Sequence, residues 1–379
     1  MKNHRIKIIE PILLSDNLEQ PFYFSQFEYK ERKICIVRIV TEDGYEGWGE
    51  GYGPGGLVKA GIEYLAQAVL NKEALNHEQI WMQMYRISYD YARKGVLLSA
   101  LSAIDIALWD LKGKILNQPV STLLGGRIRE KVRVYASGLY FTHGNNQVDK
   151  LAEEAAALKE AGFKAMKMKV GLGIPTDIEH IRTVRDAIGT ETDLMVDANH
   201  AFCLEDARKI LPVLAEYNIR WFEEPVPNED HNAYRQLRNS STVAIAGGEC
   251  EYLKYGAMEF LSHKCVDIFQ PDTCACGGIT ELKKMLAISE SFFINVTPHN
   301  WGTGIAIATN LQIISTIHTL PQRLFPSEPI LELDCSPNRL RNEIIKNDFT
   351  PDNGVLQIPD GPGLGIEIDL DKLKKFQSK

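Results

Sequence analysis

The run Ala165-Met-Lys-Met-Lys-Val170 is followed, one helical stretch later, by Leu194-Met-Val-Asp-Ala-Asn199. Both runs are short, largely apolar and polar at their ends. Between them Ile178, Ile181, Val184 and Ile188 recur at helical spacing behind the cap signal Thr176-Asp177. Strand, helix, strand is the repeating unit of a parallel sheet, and the pattern extends in both directions. Strand-like runs stand at 132–139, 165–170, 194–199, 220–224, 243–249, 266–272, 292–299 and 330–334. The connecting segments keep helical periodicity, as in Leu204, Ala207, Ile210, Leu211 and Leu214. Eight such runs alternating with helices predict an α/β fold built on a (β/α) barrel of about 200 residues.

The flanks read differently. Residues 1–50 carry strand patterns, with the turn signal Asp43-Gly44 between 34–40 and Tyr45-Glu-Gly-Trp48. Residues 57–117 are helical, and 100–109 are apolar nearly all round, as in a buried helix. Strands followed by helices predict an α+β domain. One literal GxGxxG, Gly51-Tyr-Gly-Pro-Gly-Gly56, follows a hairpin strand rather than opening a βαβ unit, so it reads as a loop and not as a nucleotide fingerprint. Past residue 335 turn residues dominate, and this tail is expected to return to the N-terminal domain. The division expected is 1–131 for an α+β capping domain, 132–335 for the barrel and 336–379 for the returning segment.

The chain has 379 residues, 44% hydrophobic and 24% charged, with a net charge of −8. That composition excludes wholesale disorder, and the acidic balance argues against nucleic acid as a partner. No apolar stretch of about 18 residues exists, so no membrane partner is expected. Residues 1–10 lack the pattern of a secretory leader. The seven cysteines, Cys35, Cys203, Cys250, Cys265, Cys274, Cys276 and Cys335, form no CxxC. They read as structural thiols of a reduced, cytoplasmic protein.

Chemistry in such a barrel sits at the C-terminal ends of strands. Seven successive runs each end in ionisable residues: Lys167 and Lys169, Asp197, Glu223, Glu249, Asp272, His299 and Glu332. Consecutive marks lie 23 to 33 residues apart, about one strand–helix unit each. A single carboxylate here is more often a helix cap. Asp197, Glu223 and Glu249 from three neighbouring strands would repel one another unless a cation sat among them. All-oxygen ligands favour Mg²⁺. Glu224 alternates away from Glu223 and reads as a supporting or helix-start residue. Alternation sets Lys167 and Lys169 on one face, toward the barrel mouth, and Met166 and Met168 on the other. Two adjacent lysines near a divalent cation are expected to depress each other, making a general base. Asp272 and His299, on adjacent strands, read as a dyad in which the carboxylate fixes the imidazole tautomer. His200 reads equally as pocket wall or helix start. A metal, a lysine and a histidine together suit proton abstraction α to a carboxylate, with the cation stabilising the enediolate.

With these marks in place the sequence resembles the enolase superfamily, mandelate racemase subgroup, over nearly its whole length. The carriers include Ile104-Asp-Ile-Ala-Leu-Trp-Asp-Leu-Lys-Gly-Lys114, Lys167-Met-Lys169, Trp221-Phe-Glu-Glu-Pro-Val226, Pro298-His-Asn-Trp-Gly-Thr-Gly304 and Asp360-Gly-Pro-Gly-Leu-Gly365. The resemblance implies a (β/α)7β modified TIM barrel under an α+β cap, and as partners a sugar acid or its lactone and further copies of the chain in a homo-oligomer. It implies Lys169 as base, Lys167 near the substrate carboxylate, and Asp197, Glu223 and Glu249 as Mg²⁺ ligands. It further implies Asn199 at a supporting or substrate position beside the metal ligands, Asp272 and His299 as the dyad, and Glu332 holding the substrate carboxylate as an acid. Cap loops would reach the distal end of the substrate, which points to Phe22 and Tyr52, with Trp301 beside the dyad. The activity implied is cycloisomerase-type ring opening of a sugar-acid lactone by β-elimination. Sugar-acid dehydration to a 2-keto-3-deoxy acid, or racemisation, uses the same residues.

Overall fold

The computed structural model describes residues 4–144, 146–321, 323–324 and 327–378. Residues 1–3 of the strand-like opening lie outside them. Strands β1 (Ile6–Tyr23), β2 (Glu28–Thr41) and β3 (Glu46–Gly51) form an antiparallel sheet. Gly44, at φ +90°, makes the β2–β3 turn. Helices α1 (Gly55–Leu65), α2 (His77–Ile87), α3 (Val96–Leu116) and α4 (Val120–Leu123) follow, so the glycine-rich run leads into a helix of the cap.

Helix α3 is the hinge pin of the architecture. Every residue from 98 to 111 is buried. Its closeness to β3 requires glycine: a Cβ on Gly47 would stand 2.1 Å from the Ala107 carbonyl oxygen, and one on Gly49 2.0 Å from that of Ala103. Asp110 on the same helix accepts from Trp48 N (2.9 Å), Leu364 N (2.8 Å) and Lys114 Nζ (2.6 Å). One carboxylate thus ties sheet, helix and C-terminal tail together.

The barrel strands are β4 (Lys131–Ser137), β5 (Ala165–Lys169), β6 (Asp193–Asp197), β7 (Ile219–Glu223), β8 (Ala244–Gly247), β9 (Ile268–Phe269), β10 (Asn295–Val296) and β11 (Leu331–Asp334). Between them run α5 (Gln147–Glu160), α6 (Ile174–Ile188), α7 (Leu204–Glu216), α8 (His231–Ser240), α9 (Leu253–Ser262), α10 (Gly278–Ser291) and α11 (Gly304–Ile314). The parallel order is β10-β9-β8-β7-β6-β5-β4-β11. Among the described residues no ladder joins β10 to β11. Asn300 spans that seam, its N donating to Glu332 Oε2 (3.1 Å) and its Nδ2 to the Glu332 carbonyl (2.9 Å). Met166 and Met168 face the helix layer, as alternation predicts, while Tyr135, Ala165, Met195, Trp221, Ala246 and Ile330 form a separate apolar plug.

After β11 come α12 (Arg339–Glu343), β12 (Val355–Gln357) and α13 (Leu370–Phe376). The tail touches the N-terminal elements, with Ser378 N donating to the Leu13 carbonyl at 2.8 Å. The strand β12 instead pairs antiparallel with β4 of the barrel, a contact the turn-rich sequence did not suggest. All seven cysteines are free thiols, and among the described residues no helix is long and apolar enough to cross a membrane.

Cap and barrel also meet through Asp105 on α3, which accepts from Thr280 N (2.9 Å) and Thr280 Oγ1 (2.6 Å) on α10. Burial pushes the Asp105 carboxyl from its ordinary 3.8 up to about 7, although the Thr280 bonds oppose the rise. The folded chain therefore holds this proton more tightly than the unfolded chain. Stability from the protonated carboxyl is complete below its ordinary value and fades as pH rises through the folded one. Denaturant midpoints measured at about pH 5 and about pH 8 should fall with rising pH, and Asp105→Asn should flatten that fall relative to the parent chain.

Candidate active site

Strand register builds the site. Lys169 pairs with Asp197 across β5 and β6, and Asp197 with Glu223 across β6 and β7. These side chains enter the barrel on top of the apolar plug. Lys167 Nζ lies 2.5 Å from Glu223 Oε1, 2.8 Å from Glu332 Oε1 and 3.4 Å from Asp197 Oδ2. Lys169 Nζ donates to Asp197 Oδ2 (2.6 Å) and Asn199 Oδ1 (2.9 Å). The other Glu223 oxygen accepts from Trp221 Nε1 (2.9 Å) and Gln270 Nε2 (2.8 Å). Across the barrel His299 Nδ1 meets Asp272 Oδ2 at 2.6 Å, and Asp272 Oδ1 accepts from Cys274 N at 2.6 Å. The dyad leaves His299 Nε2 to face Glu249, 3.5 Å away, with Glu332 at 4.0 Å.

The expected mutual depression of the lysines acts on Lys169, which Lys167 lowers, but it does not prevail. Burial lowers each one, but the carboxylates facing them from neighbouring strands outweigh it, and both are held above the ordinary lysine value. Burial likewise opposes ionisation of Glu332, yet Lys167 and His299 pull its carboxyl down to about 2. In this state the two cations favour the ionised form of Glu332, and the acid role that the resemblance implies for it would need them engaged elsewhere. His299 is raised to about 10: burial works against the charge, and Glu249, Glu332 and Asp272 overcome it.

The pocket above this layer is a cavity of about 140 Å³ lined by Phe24, Gln26, Tyr29, Tyr52, Tyr140, Lys169, Asn199, His200, Glu249, His299, Trp301 and Glu332. A larger hollow, about 360 Å³, lies around Leu124, Ile279, Leu286 and Ile313 and holds none of the strand-end set. Lys167 lies beneath the pocket wall, 1% exposed. Phe22 is not on the wall either. The strand β1 turns it inward against Tyr140 (4.7 Å between rings) and Tyr29 (5.4 Å), and Phe24 and Gln26 from the next loop take its place. Leu57, from the other cap loop expected to reach the substrate, is exposed, whereas Tyr52 stands edge-on to His299 at 5.2 Å. Ser25 Oγ donates to the Ala198 carbonyl at 2.8 Å, latching the cap loop onto the end of β6. Sequence reading missed Tyr29 and Tyr140. Tyr140 stands just past the first strand-like run, the one run whose end was not searched because it carries no charge. Asn199, His200 and Glu224 have φ of +43°, +66° and +41°, left-handed values that are costly for non-glycine residues and cluster at functional sites.

The donor set fits a divalent cation. Asp197, Glu223, Glu249, Asp272 and Glu332 face Lys167, Lys169 and His299. With every group ionised, five negative charges stand against three positive ones. Burial and the nearby carboxylates hold Glu249 well above the usual carboxylate range, so it is short of counter-charge. Buried oxygen donors in this condition suit Mg²⁺. Among the described residues the triad does not bring its oxygens within 4.8 Å of one another, because Asp197 and Glu223 are drawn to the lysines.

Two family models match the chain: the mandelate racemase/muconate lactonizing enzyme N-terminal domain at residues 8–125 and the enolase C-terminal domain-like model at 150–372. The chain belongs to this enzyme family of the enolase superfamily. It is 39% identical over 373 residues to D-galactarolactone cycloisomerase of Agrobacterium fabrum, covering 98% of this chain and 99% of the relative. The crystal structure of the 3,6-anhydro-D-galactonate cycloisomerase from Zobellia galactanivorans matches with TM-score 0.90 and 45% identity, covering 99% and 100% of the two chains. L-talarate/galactarate dehydratase from Salmonella typhimurium LT2 matches with TM-score 0.88 and 26% identity, covering 100% and 93%, and an L-talarate/galactarate dehydratase mutant liganded with Mg and L-glucarate matches with the same figures.

If the triad holds the cation, Mg²⁺ at about 100 times its Kd should add about 2.7 kcal/mol to stability. Scanning calorimetry should register this as a rise in Tm that EDTA reverses and that Asp197→Asn or Glu249→Gln largely removes.

Proposed function

We propose that the chain opens the ring of a cyclic sugar acid by β-elimination, the ring oxygen standing on the carbon β to the carboxylate. The observation that carries this reading is one small pocket with Lys169 on one wall and His299 on another, from strand ends three places apart around the barrel by the shorter way. Lys169 Nζ takes the α-proton, and the C–H electron pair enters the carboxylate as an enediolate. Collapse of that intermediate breaks the bond from the β-carbon to the ring oxygen. His299 Nε2, kept protonated by the carboxylates around it, delivers a proton to the departing oxygen, while Asp272 holds the ring in place. The enol then becomes an open-chain 2-keto-3-deoxy acid, an isomer of the substrate. Asp197, Glu223 and Glu249 would hold Mg²⁺, which when bound would supply positive charge against the substrate carboxylate and the forming enediolate. Asn199 orients Lys169 through its 2.9 Å hydrogen bond.

The aromatic wall narrows the substrate class. Phe24, Tyr29, Tyr52, Tyr140 and Trp301 line the pocket, and Lys169 is its one lysine or arginine. That lining suits the faces of a neutral ring, and its two imidazoles, His299 and His200, are already engaged by Asp272 and Glu224. The curated and structural relatives named as cycloisomerases support the same reading, lactone in one case and anhydro ring in the other.

Mg²⁺-loaded protein is to be incubated in D₂O with cyclic sugar monoacids and followed by ¹H NMR and mass spectrometry. The α-proton should be lost with no change in mass beyond deuterium uptake. A product lighter by one water marks a dehydratase, and an inverted centre with the ring intact marks a racemase. Either result overturns ring opening. Lys169→Ala should lower kcat by at least about 10³-fold, and His299→Asn by about 10²-fold or more. Open-chain dicarboxylic sugar acids should be poorer substrates than cyclic monoacids by about 10²-fold in kcat/KM, since each would bury an unpaired charge.

A further inference from the structure

Beside the catalytic set stands a second group of metal-ligating side chains with different chemistry. His200, Glu224 and Cys250 each bring one ligand atom within 4.8 Å of the other two, and among the described residues they are the one group that meets this distance. Glu224 is 0% exposed. Its Oε2 lies 2.9 Å from His200 Nε2, and neither of its oxygens makes a hydrogen bond of good geometry. His200 Nδ1 is also buried and unbonded. His200 Nε2 answers Glu224 on the Oε2 side only, and a buried carboxylate oxygen such as Oε1 with no donor is costly to a fold. Glu224 and Cys250 directly follow Glu223 and Glu249 in sequence but serve a different cluster. Glu223 is committed to Lys167, Trp221 and Gln270, and Glu249 faces His299.

We propose that His200, Glu224 and Cys250 form a second cation site, selective for a thiophilic divalent ion such as Zn²⁺ and separate from the carboxylate site for Mg²⁺. Imidazole, carboxylate and sulfur are the ligands of zinc and cobalt, and magnesium and calcium prefer oxygen throughout. Three protein ligands leave a fourth position open. Sulfur binds as the thiolate, its proton passing to solvent as the metal–sulfur bond forms. Because His200 also lines the catalytic pocket, an ion held here stands at the pocket rim.

The test is a Co²⁺ titration of the Mg²⁺-saturated full chain, read by absorption. One equivalent should produce a near-ultraviolet sulfur-to-cobalt charge-transfer band with visible bands of four-coordinate cobalt, and Zn²⁺ should displace both. Cys250→Ser should abolish the charge-transfer band, and His200→Gln should weaken Co²⁺ binding by at least about tenfold. Cobalt entering the carboxylate triad gives no sulfur band, so the Mg²⁺ assignment and this one fail separately. Absence of the band, or its survival in Cys250→Ser through another cysteine such as the exposed Cys203, overturns the proposal. If Cys250→Ser does not fold, the band in His200→Gln decides: unchanged affinity overturns the site.

Discussion

Two lysines buried among carboxylates at the top of the barrel set the terms for everything around them. Lys167 and Glu223 are each 1% exposed, and a charge removed from water at such depth costs several kcal/mol before any partner is counted. The geometry offsets that cost by giving nearly every charge a neighbour. Glu223 receives Lys167, Trp221 and Gln270, and Asp197 receives Lys169, Lys167 and its own loop through Asn199 N. The apolar plug beneath, with Tyr135 and Trp221 packed edge to face at 5.4 Å, keeps water from entering below. A hydrophobic layer of the same volume would make a sounder barrel. The ionic layer is thus a device for placing charge, held in place by the stability of the surrounding fold.

The cap completes the site from above, and one arginine adds to the bonds that fasten the two. Arg32 on β2 is 1% exposed and reaches Asp334 at the end of β11 (2.9 Å), with its Nε on the Pro337 carbonyl (3.2 Å). Its guanidinium lies 3.9 Å over the Trp301 ring and 5.1 Å from that of Phe22. The cation is therefore consumed in holding the aromatic wall against the eighth strand, and it does not reach the pocket. This explains how a cap that contributes an arginine can still present a face without positive charge. Phe22, which looked like a substrate contact in the sequence, serves the same clamp.

The barrel was legible because strand ends recur at one strand–helix unit and because their residues are charged, a signal that survives without coordinates. The same signal brought Asp197, Glu223, Glu249, Asp272 and His299 to one rim on paper. What remained illegible depends on distances across strands. Sequence spacing sets Lys167 and Lys169 two residues apart and suggests mutual repulsion, but it cannot show that Asp197 stands 2.6 Å from Lys169 or that Glu332 closes on Lys167 from the far side of β4. Tyr29 and Tyr140 carry no charge, so alternation alone could not separate them from core aromatics. Pairing of β12 with β4 involves three residues in a turn-rich tail, too few for a period to appear.

The charge count also bears on order of events. Lys169 cannot accept a proton while it is an ammonium held by Asp197, and Glu332 cannot donate one while Lys167 and His299 keep it ionised. Both obstacles have one origin, the surplus of carboxylate that the lysines are made to answer. A divalent cation held by the carboxylates would answer that surplus in place of the lysines. Lys167, Lys169, His299 and the carboxylates around them are for that reason one electrostatic unit: each holds its neighbours' charge in place. Glu249, which shares the His299 ring with Asp272 and faces it at 3.5 Å, is where that dependence is most visible.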